Sequence, residues 1–329
     1  MALTETQRFP VEDRSHVAPV RRATESLAAK LGLDEQLRGE AAIVATEMAA
    51  NLIRHTGGGE VVLRPSPVYH DVLDVITWDR GPGMADVSGA LRDGVSTVGG
   101  AGNGLGAMGR LSATFDLQST PGRGTAAVAR LGPATTPRID GLALAMKGEE
   151  ASGDAWSVVH DGPWATVLLV DGLGHGVEAA RAAAAAVREM RPGMSPEALL
   201  ERMHDALRAT RGAAAAIARL NRSTGTLRFA GIGNIAATIV AGATTRALVS
   251  MNGTLGHNVR RFQGFDYELA ADALLVMHSD GVSGGWDLAL HPGLVRRDPL
   301  VIASVLVRDF ERGRDDASVI VAKGDGAPE

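Results

Sequence analysis

The sequence predicts an α+β protein built from two consecutive sandwich-like halves, and three observations carry that expectation. In the N-terminal half a pair of helical patterns precedes a group of short strands that close in a hairpin. In the C-terminal half apolar strands alternate with long helices, a pattern that suits two sheets covered by helices. Between them, Gly132-Pro-Ala-Thr-Thr-Pro137 interrupts the apolar pattern with two prolines. The expected division is 10–132 and 141–323, with a linker at 133–140.

The elements follow in order. Val17, Val20, Leu27 and Leu31 have helical spacing, with Gly32 placed to cap the C-terminus. Asp34–Ile53 is a second helix, with Leu37, Val44, Met48 and Leu52 on one stripe. Strands are expected at 60–64 and 72–77, then a glycine-rich stretch over 79–106 and a short helix at 105–111. Thr120-Pro-Gly-Arg-Gly124 turns a hairpin between 114–119 and 125–131. In the C-terminal half the expected helices are 177–190, 196–208 and 299–310, and Asn221-Arg-Ser-Thr-Gly225 joins two strands.

Composition narrows the function classes. The 329 residues carry a net charge of −5, which gives no electrostatic case for nucleic acid or an anionic membrane. There is no cysteine, which excludes disulfides, zinc–thiolate sites and thiol catalysis, and fits a reducing cytosol. The first fifteen residues contain no apolar signal core, and no apolar run reaches the roughly 20 residues of a membrane span. The expectation is a cytoplasmic protein.

Four motifs of the N-terminal half occur in a fixed order. Glu47 and Asn51 are four apart and share a helix face. Asp79-Arg-Gly81-Pro-Gly83 follows a strand, Gly102-Asn-Gly104-Leu-Gly106 opens a helix, and Gly122-Arg-Gly-Thr125 closes the hairpin turn. Glycine-rich turns that expose backbone N–H groups at a helix start favour phosphate oxygens. This half resembles the GHKL (Bergerat) ATPases, and among them the bacterial anti-sigma and switch serine kinases of the RsbW and RsbT type. The resemblance implies Mg-ATP as ligand. Asn51 would hold Mg²⁺, Asp79 would accept from the adenine amino group, and Gly81 and Gly83 would admit the base. Gly102, Gly104 and Gly106 would wrap the phosphates, Thr125 would close the pocket, and Glu47 would act as general base on the acceptor hydroxyl. Asp93-Gly-Val-Ser-Thr97 also resembles the RsbT subgroup. His55 reads as a helix-end residue on the surface or stacked in the rim, and Arg54 either touches phosphate or is solvated.

In the C-terminal half, carboxylates recur at strand ends: Asp154, Asp171, Asp280 and Asp315. Hard oxygen donors with no sulfur and little histidine suit Mg²⁺ or Mn²⁺. The motifs Gly153-Asp154, Asp171-Gly-Leu-Gly-His-Gly176, Gly231-Ile-Gly-Asn234, Ser279-Asp280-Gly281 and Asp315-Asp316-Ala-Ser318 resemble the PPM metal-dependent serine/threonine phosphatases, in their SpoIIE- and RsbX-like branch. That resemblance implies an α-β-β-α sandwich with two Mn²⁺ or Mg²⁺ ions. The ions would be held by Asp154, Asp171, the Gly172 carbonyl, Asp280 and Asp315, with Asp171 bridging both. Asp316 is the alternative to Asp315. His175 is either a general acid or a group that orders the glycine turn. Arg138 is a remote candidate for gripping phosphate.

Together the resemblances imply a partner-switching regulator with a kinase and an opposed phosphatase. Its expected partner is a STAS-domain protein, either an anti-sigma antagonist or a stressosome scaffold. A sigma factor or a downstream phosphatase is a further partner, and a homodimer is expected. The alternative is an ATP-binding module that recruits the phosphatase without transferring phosphate.

Overall fold

A computed structural model describes residues 6–91 and 104–324. Contacts divide the chain into two compact units. The first comprises 1–137 together with 288–308, and the second the remainder.

In the first unit, β1 (Gln7–Val11) leads into α1 (Val17–Lys30) and α2 (Glu35–Thr56). The Asp34 carboxylate caps α2, accepting from the Leu37 amide at 2.8 Å, and Gly57 ends the helix in the left-handed conformation. Strands β2 (Gly59–Pro65) and β3 (Leu73–Trp78) follow, then the short helices α3 (Val87–Ala90) and α4 (Leu105–Leu111). The hairpin of β4 (Thr114–Thr120) and β5 (Gly124–Leu131) completes an antiparallel sheet of order β1-β2-β3-β5-β4. One sheet face (Val61, Leu63, Leu73, Val75, Ala129) packs on Leu27, Val44, Met48 and Leu52 of the two long helices. Burying each large apolar side chain of this kind contributes about 1.5–3 kcal/mol.

The second unit begins with β6 (Ile139–Leu144), β7 (Asp154–Asp161) and β8 (Trp164–Gly172). Helices α5 (Val177–Arg188) and α6 (Pro196–Ala206) follow, then β9 (Ala213–Asn221), β10 (Thr226–Ile232), β11 (Ala236–Ala241) and β12 (Thr244–Ala247). The two-residue strands β13 (Gly253–Thr254) and β14 (Asn258–Val259) pair with each other, ahead of β15 (Phe265–Glu268) and β16 (Leu274–His278). Beyond α7 (Pro299–Phe310) the last described strand is β17 (Ala317–Lys323). Two five-stranded sheets result, of order β15-β10-β9-β8-β7 and β12-β11-β16-β17-β6. Helices α5 and α6 cover the first sheet, meeting Leu168, Val170 and Ile217 through Ala182, Ala186, Leu199 and Met203. Strands β16 and β17 are buried almost throughout, as strands covered on both faces must be.

One segment departs from the expected division. Residues 288–308, including most of α7, belong by contact to the first unit, although the sequence places them inside the C-terminal half. A network of buried charges ties this segment to the first unit's sheet. Arg64, Asp74 and Arg130 stand opposite one another across β2, β3 and β5, on the sheet face turned away from α1 and α2. Arg64 donates to Asp74 at 2.9 Å. Arg130 makes a two-pronged pair with Asp298, at 2.5 and 3.0 Å. Asp298 in turn accepts from the Leu300 amide at 2.8 Å at the start of α7. All four charged groups are buried, so each depends on its partners.

Candidate functional sites

In the first unit, β3 runs into the turn that carries Asp79. This carboxylate is buried, and its Oδ1 accepts from the amides of Gly81 at 2.8 Å and Thr125 at 3.3 Å. Among the described residues no donor reaches Oδ2. Burial raises the Asp79 pKa, opposed by these two N–H groups and by the charge of Arg308. Arg308, itself buried, lies 3.5 Å from the Asp79 carbonyl, and Arg80 donates to the Arg308 carbonyl. The turn is therefore held on both sides.

Gly83 has φ 68°, and a Cβ there would lie 2.2 Å from the Thr120 carbonyl oxygen, so no other residue fits without moving the hairpin. The Ser119 hydroxyl accepts from the Met84 amide at 2.8 Å and bonds the Thr125 hydroxyl at 2.8 Å. Glu47 and Asn51 lie on α2, both half-buried, and Arg54 donates to Asn51 Oδ1 at 3.0 Å. Gly104 precedes α4 and Gly106 lies within it. Gly102 and the segment 93–97 fall outside the described residues.

In the second unit, Asp154 opens β7 and Asp171 nearly closes β8, and the two are direct cross-strand partners. Asp280 follows β16 and Asp315 precedes β17, and those strands are neighbours. Strand pairing thus gathers carboxylates that lie far apart in the chain. Asp154 is buried, and its Oδ2 accepts from the hydroxyls of Ser279 at 2.6 Å and Ser318 at 2.7 Å. Asp280 accepts from the Asn234 side-chain amide at 2.8 Å. A Cβ on Gly172 would lie 2.3 Å from the Ala179 carbonyl oxygen, so this glycine lets α5 close on β8.

Asp315 and Asp316 have different tasks. Asp316 is buried and accepts from the amides of Met146 and Gly153, both at 2.7 Å, which ties β17 to the loop before β7. Asp315 lines an open cavity of about 290 Å³ together with Asp280, Arg312 and Arg314. His175 bonds Glu149 at 2.7 Å. Sequence reasoning assigned no role to Ser279 and Ser318, although both stood inside its motifs. A hydroxyl next to, or three residues beyond, a strand-end aspartate was the available signal.

The electrostatics are those of crowded like charges. Burial, then repulsion from Asp154, Asp280, Asp315 and Asp316, pushes Asp171 up to about 9. Burial, opposed by the two serine hydroxyls and reinforced by Asp316 and Asp315, pushes Asp154 up to about 7. Among the described residues no three His, Asp or Glu side chains stand close enough together to grip an ion as placed. The donor chemistry nevertheless fits a hard divalent cation, because the groups are all carboxylate or carbonyl oxygen and their mutual repulsion calls for positive charge.

Residues 9–130 match the family described as "Histidine kinase-like ATPase domain", and residues 161–324 match "Stage II sporulation protein E (SpoIIE)". The serine/threonine-protein kinase RsbT of Bacillus subtilis (strain 168) is 30% identical over 110 residues, covering 33% of this chain and 83% of that protein. A chain solved in work on the bacterial stressosome, as a modular system adapted to control secondary messenger signaling, is 31% identical. It has a TM-score of 0.50 and aligns with 56% of this chain and 98% of its own. RsbX, solved in complex with magnesium, is 19% identical with a TM-score of 0.50, over 58% of this chain and 97% of its own, a likeness of fold. No described helix is long and apolar enough to cross a membrane. The chain belongs with RsbT through its histidine kinase-like ATPase domain, which is joined to a SpoIIE domain of PP2C-like fold.

Proposed function

We propose that the chain is a partner-switching regulator that both adds phosphate to and removes it from serine or threonine on a STAS-type protein. The observation that carries the phosphatase reading is the cross-strand pairing of Asp154 with Asp171, beside Asp280 and Asp315 at the ends of two adjacent strands. Asp154, Asp171, the Gly172 carbonyl, Asp280 and Asp315 would hold two Mn²⁺ or Mg²⁺ ions. When bound, such ions supply Lewis acidity and a nucleophilic water at neutral pH. Ser279 and Ser318 fix the Asp154 carboxylate and lower its proton affinity. Asn234 orients Asp280, and Asp316 fixes the backbone on which Asp154 stands.

In the first unit, Asp79 would present Oδ2 to the amino group of adenine, and Asn51 would hold the magnesium of Mg-ATP. Glu47, one helical turn before Asn51, would take the proton from the acceptor hydroxyl. Phosphoryl transfer demands chiefly position and charge neutralisation, which these groups are suited to provide.

The test is to incubate the Asp171→Ala protein with Mg-ATP and candidate STAS proteins and to follow intact mass. A phosphate gain that disappears on adding wild-type protein and Mn²⁺ is the expected result. No gain, with ATP binding still measurable, would leave the first unit a binding module that recruits the phosphatase. A gain that wild-type protein with Mn²⁺ leaves in place would overturn the phosphatase assignment.

A further inference from the structure

The cavity beside Asp280 and Asp315 is lined by two arginines as well as two aspartates. Arg312 and Arg314 are exposed, and among the described residues neither guanidinium has a hydrogen-bonding or ion-pairing partner. Arginines on a protein surface are commonly solvated in this way. These two differ because the backbone that carries them is fixed on both sides. The Arg312 amide donates to the Gly281 carbonyl at 2.8 Å, and the Ser283 amide donates to the Phe310 carbonyl at 2.9 Å. Val282 and Glu311 form a β-bridge between those two bonds. Residues 310–312 are thus stitched to the three residues immediately after Asp280. On the other side, the carboxylate of Asp316 is anchored to the Met146 and Gly153 amides. Gly313, at φ 67°, lets the chain turn sharply between the two arginines.

The charge balance calls for such groups. Asp154, Asp171, Asp280 and Asp315 bring four negative charges, which two divalent cations would neutralise. A phosphomonoester arrives with a charge near −2. Two guanidinium groups at the mouth of the carboxylate cluster would balance it, and the planar fork of arginine matches phosphate oxygens in pairs.

We propose that Arg312 and Arg314 grip the phosphoryl group of the substrate, and this rests on the phosphatase reading above. They determine how tightly a phosphomonoester binds, whereas the carboxylates hold the metal ions. The proton and bond changes are those of the hydrolysis already proposed, so the pair adds binding and orientation but no chemical step.

The experiment uses the full-length protein with Mn²⁺ and compares wild type with Arg312→Ala, Arg314→Ala and the double variant. Substrates are p-nitrophenyl phosphate and a phosphoserine peptide. Binding of inorganic phosphate to the Mn²⁺-loaded protein is measured alongside by calorimetry. Each charge-assisted pair is expected to be worth a roughly 10-fold to 100-fold change. KM and the phosphate dissociation constant should therefore rise together by about that factor in each single variant, and further in the double. The Mn²⁺ concentration for half-activation and the melting temperature should stay at wild-type values. Replacement by lysine should restore some of the phosphate affinity. Active variants with unchanged KM and unchanged phosphate binding would overturn the grip alone. So would a loss that appears only in Mn²⁺ affinity, which would make the arginines supports for the aspartates. A wild-type protein with Mn²⁺ that hydrolyses no phosphomonoester would overturn the phosphatase reading and the grip with it.

Discussion

The two candidate sites treat buried negative charge in opposite ways. At Asp79 a single carboxylate is buried, and its burial is offset by two backbone amides and the nearby charge of Arg308. Such a group is satisfied by its own fold and still offers one oxygen to a hydrogen-bond donor. At the other site the carboxylates repel one another, and local hydrogen bonds offset only a fraction of the cost, leaving Asp171 at about 9 and Asp154 at about 7. A lone carboxylate suits a neutral partner such as an amino group. A gathered set suits cations. The contrast is therefore evidence about ligand class, independent of any motif.

That contrast can be broken most sharply at Asp171. Asp171→Ala should abolish most of the Mn²⁺-dependent phosphatase turnover, while raising the melting temperature of the metal-free protein because the cost of burying that carboxyl among the others is gone. A metal-free protein that melts lower than wild type would contradict the repulsion argument.

A second test addresses the buried ion pairs of the first unit. Asp298→Ala leaves Arg130 buried without its two-pronged partner and should cost about 3–5 kcal/mol by urea unfolding. A cost near zero would mean that 288–308 does not belong to the first unit's core.

The third test is pH. Asp154 and Asp171 both have folded-state pKa values raised above the ordinary carboxylate value, so the native state retains protons that the unfolded chain releases. Their contribution to stability is fully present below about pH 4 and is lost as pH rises through about 7 and then about 9. Metal-free protein should melt progressively lower across that window, and saturating Mn²⁺ should flatten the slope. A melting curve independent of pH without metal would remove the electrostatic basis of the site.

The smallest expected effect comes from Ser318→Ala. It removes one hydroxyl bond to Asp154 and should weaken Mn²⁺ binding by roughly 10-fold, the low end for groups that orient metal ligands. Titration of activity and of melting temperature against Mn²⁺ would measure it, and an unchanged midpoint would assign Ser318 to packing alone.

Much of this was legible in the chain because the signals were local. Asp34 marks the start of α2, whose end lies three residues beyond the expected Ile53, and the turn 120–124 joins the hairpin as expected. The strand-end aspartates were visible because each adjoins an apolar run. What escaped the sequence depends on distant partners. Strand β1 is five residues long, contains Pro10 and lies at the sheet edge with an irregular burial pattern, so no alternation marks it. The pairing of Asp298 with Arg130 spans 168 positions, and nothing near either residue announces it. The roles of Ser279 and Ser318 appear only once β16 and β17 lie side by side, next to the start of β7. Likewise Arg312 and Arg314 look like ordinary charged residues until Arg312 is tied to Gly281.

The recruitment of 288–308 into the first unit has a practical consequence for anyone who would divide the chain. Cutting near residue 137 divides the first unit itself. The N-terminal fragment would carry Arg130 without Asp298, and one face of its sheet would lose the segment that meets it. The C-terminal fragment would carry Asp298 without Arg130. Each fragment is expected to be destabilised by its unpaired charge, so its silence in an assay would not by itself show lack of function. Inactivating one site at a time by single substitution leaves the Arg130–Asp298 pair in place, and for this chain that is the sounder form of dissection.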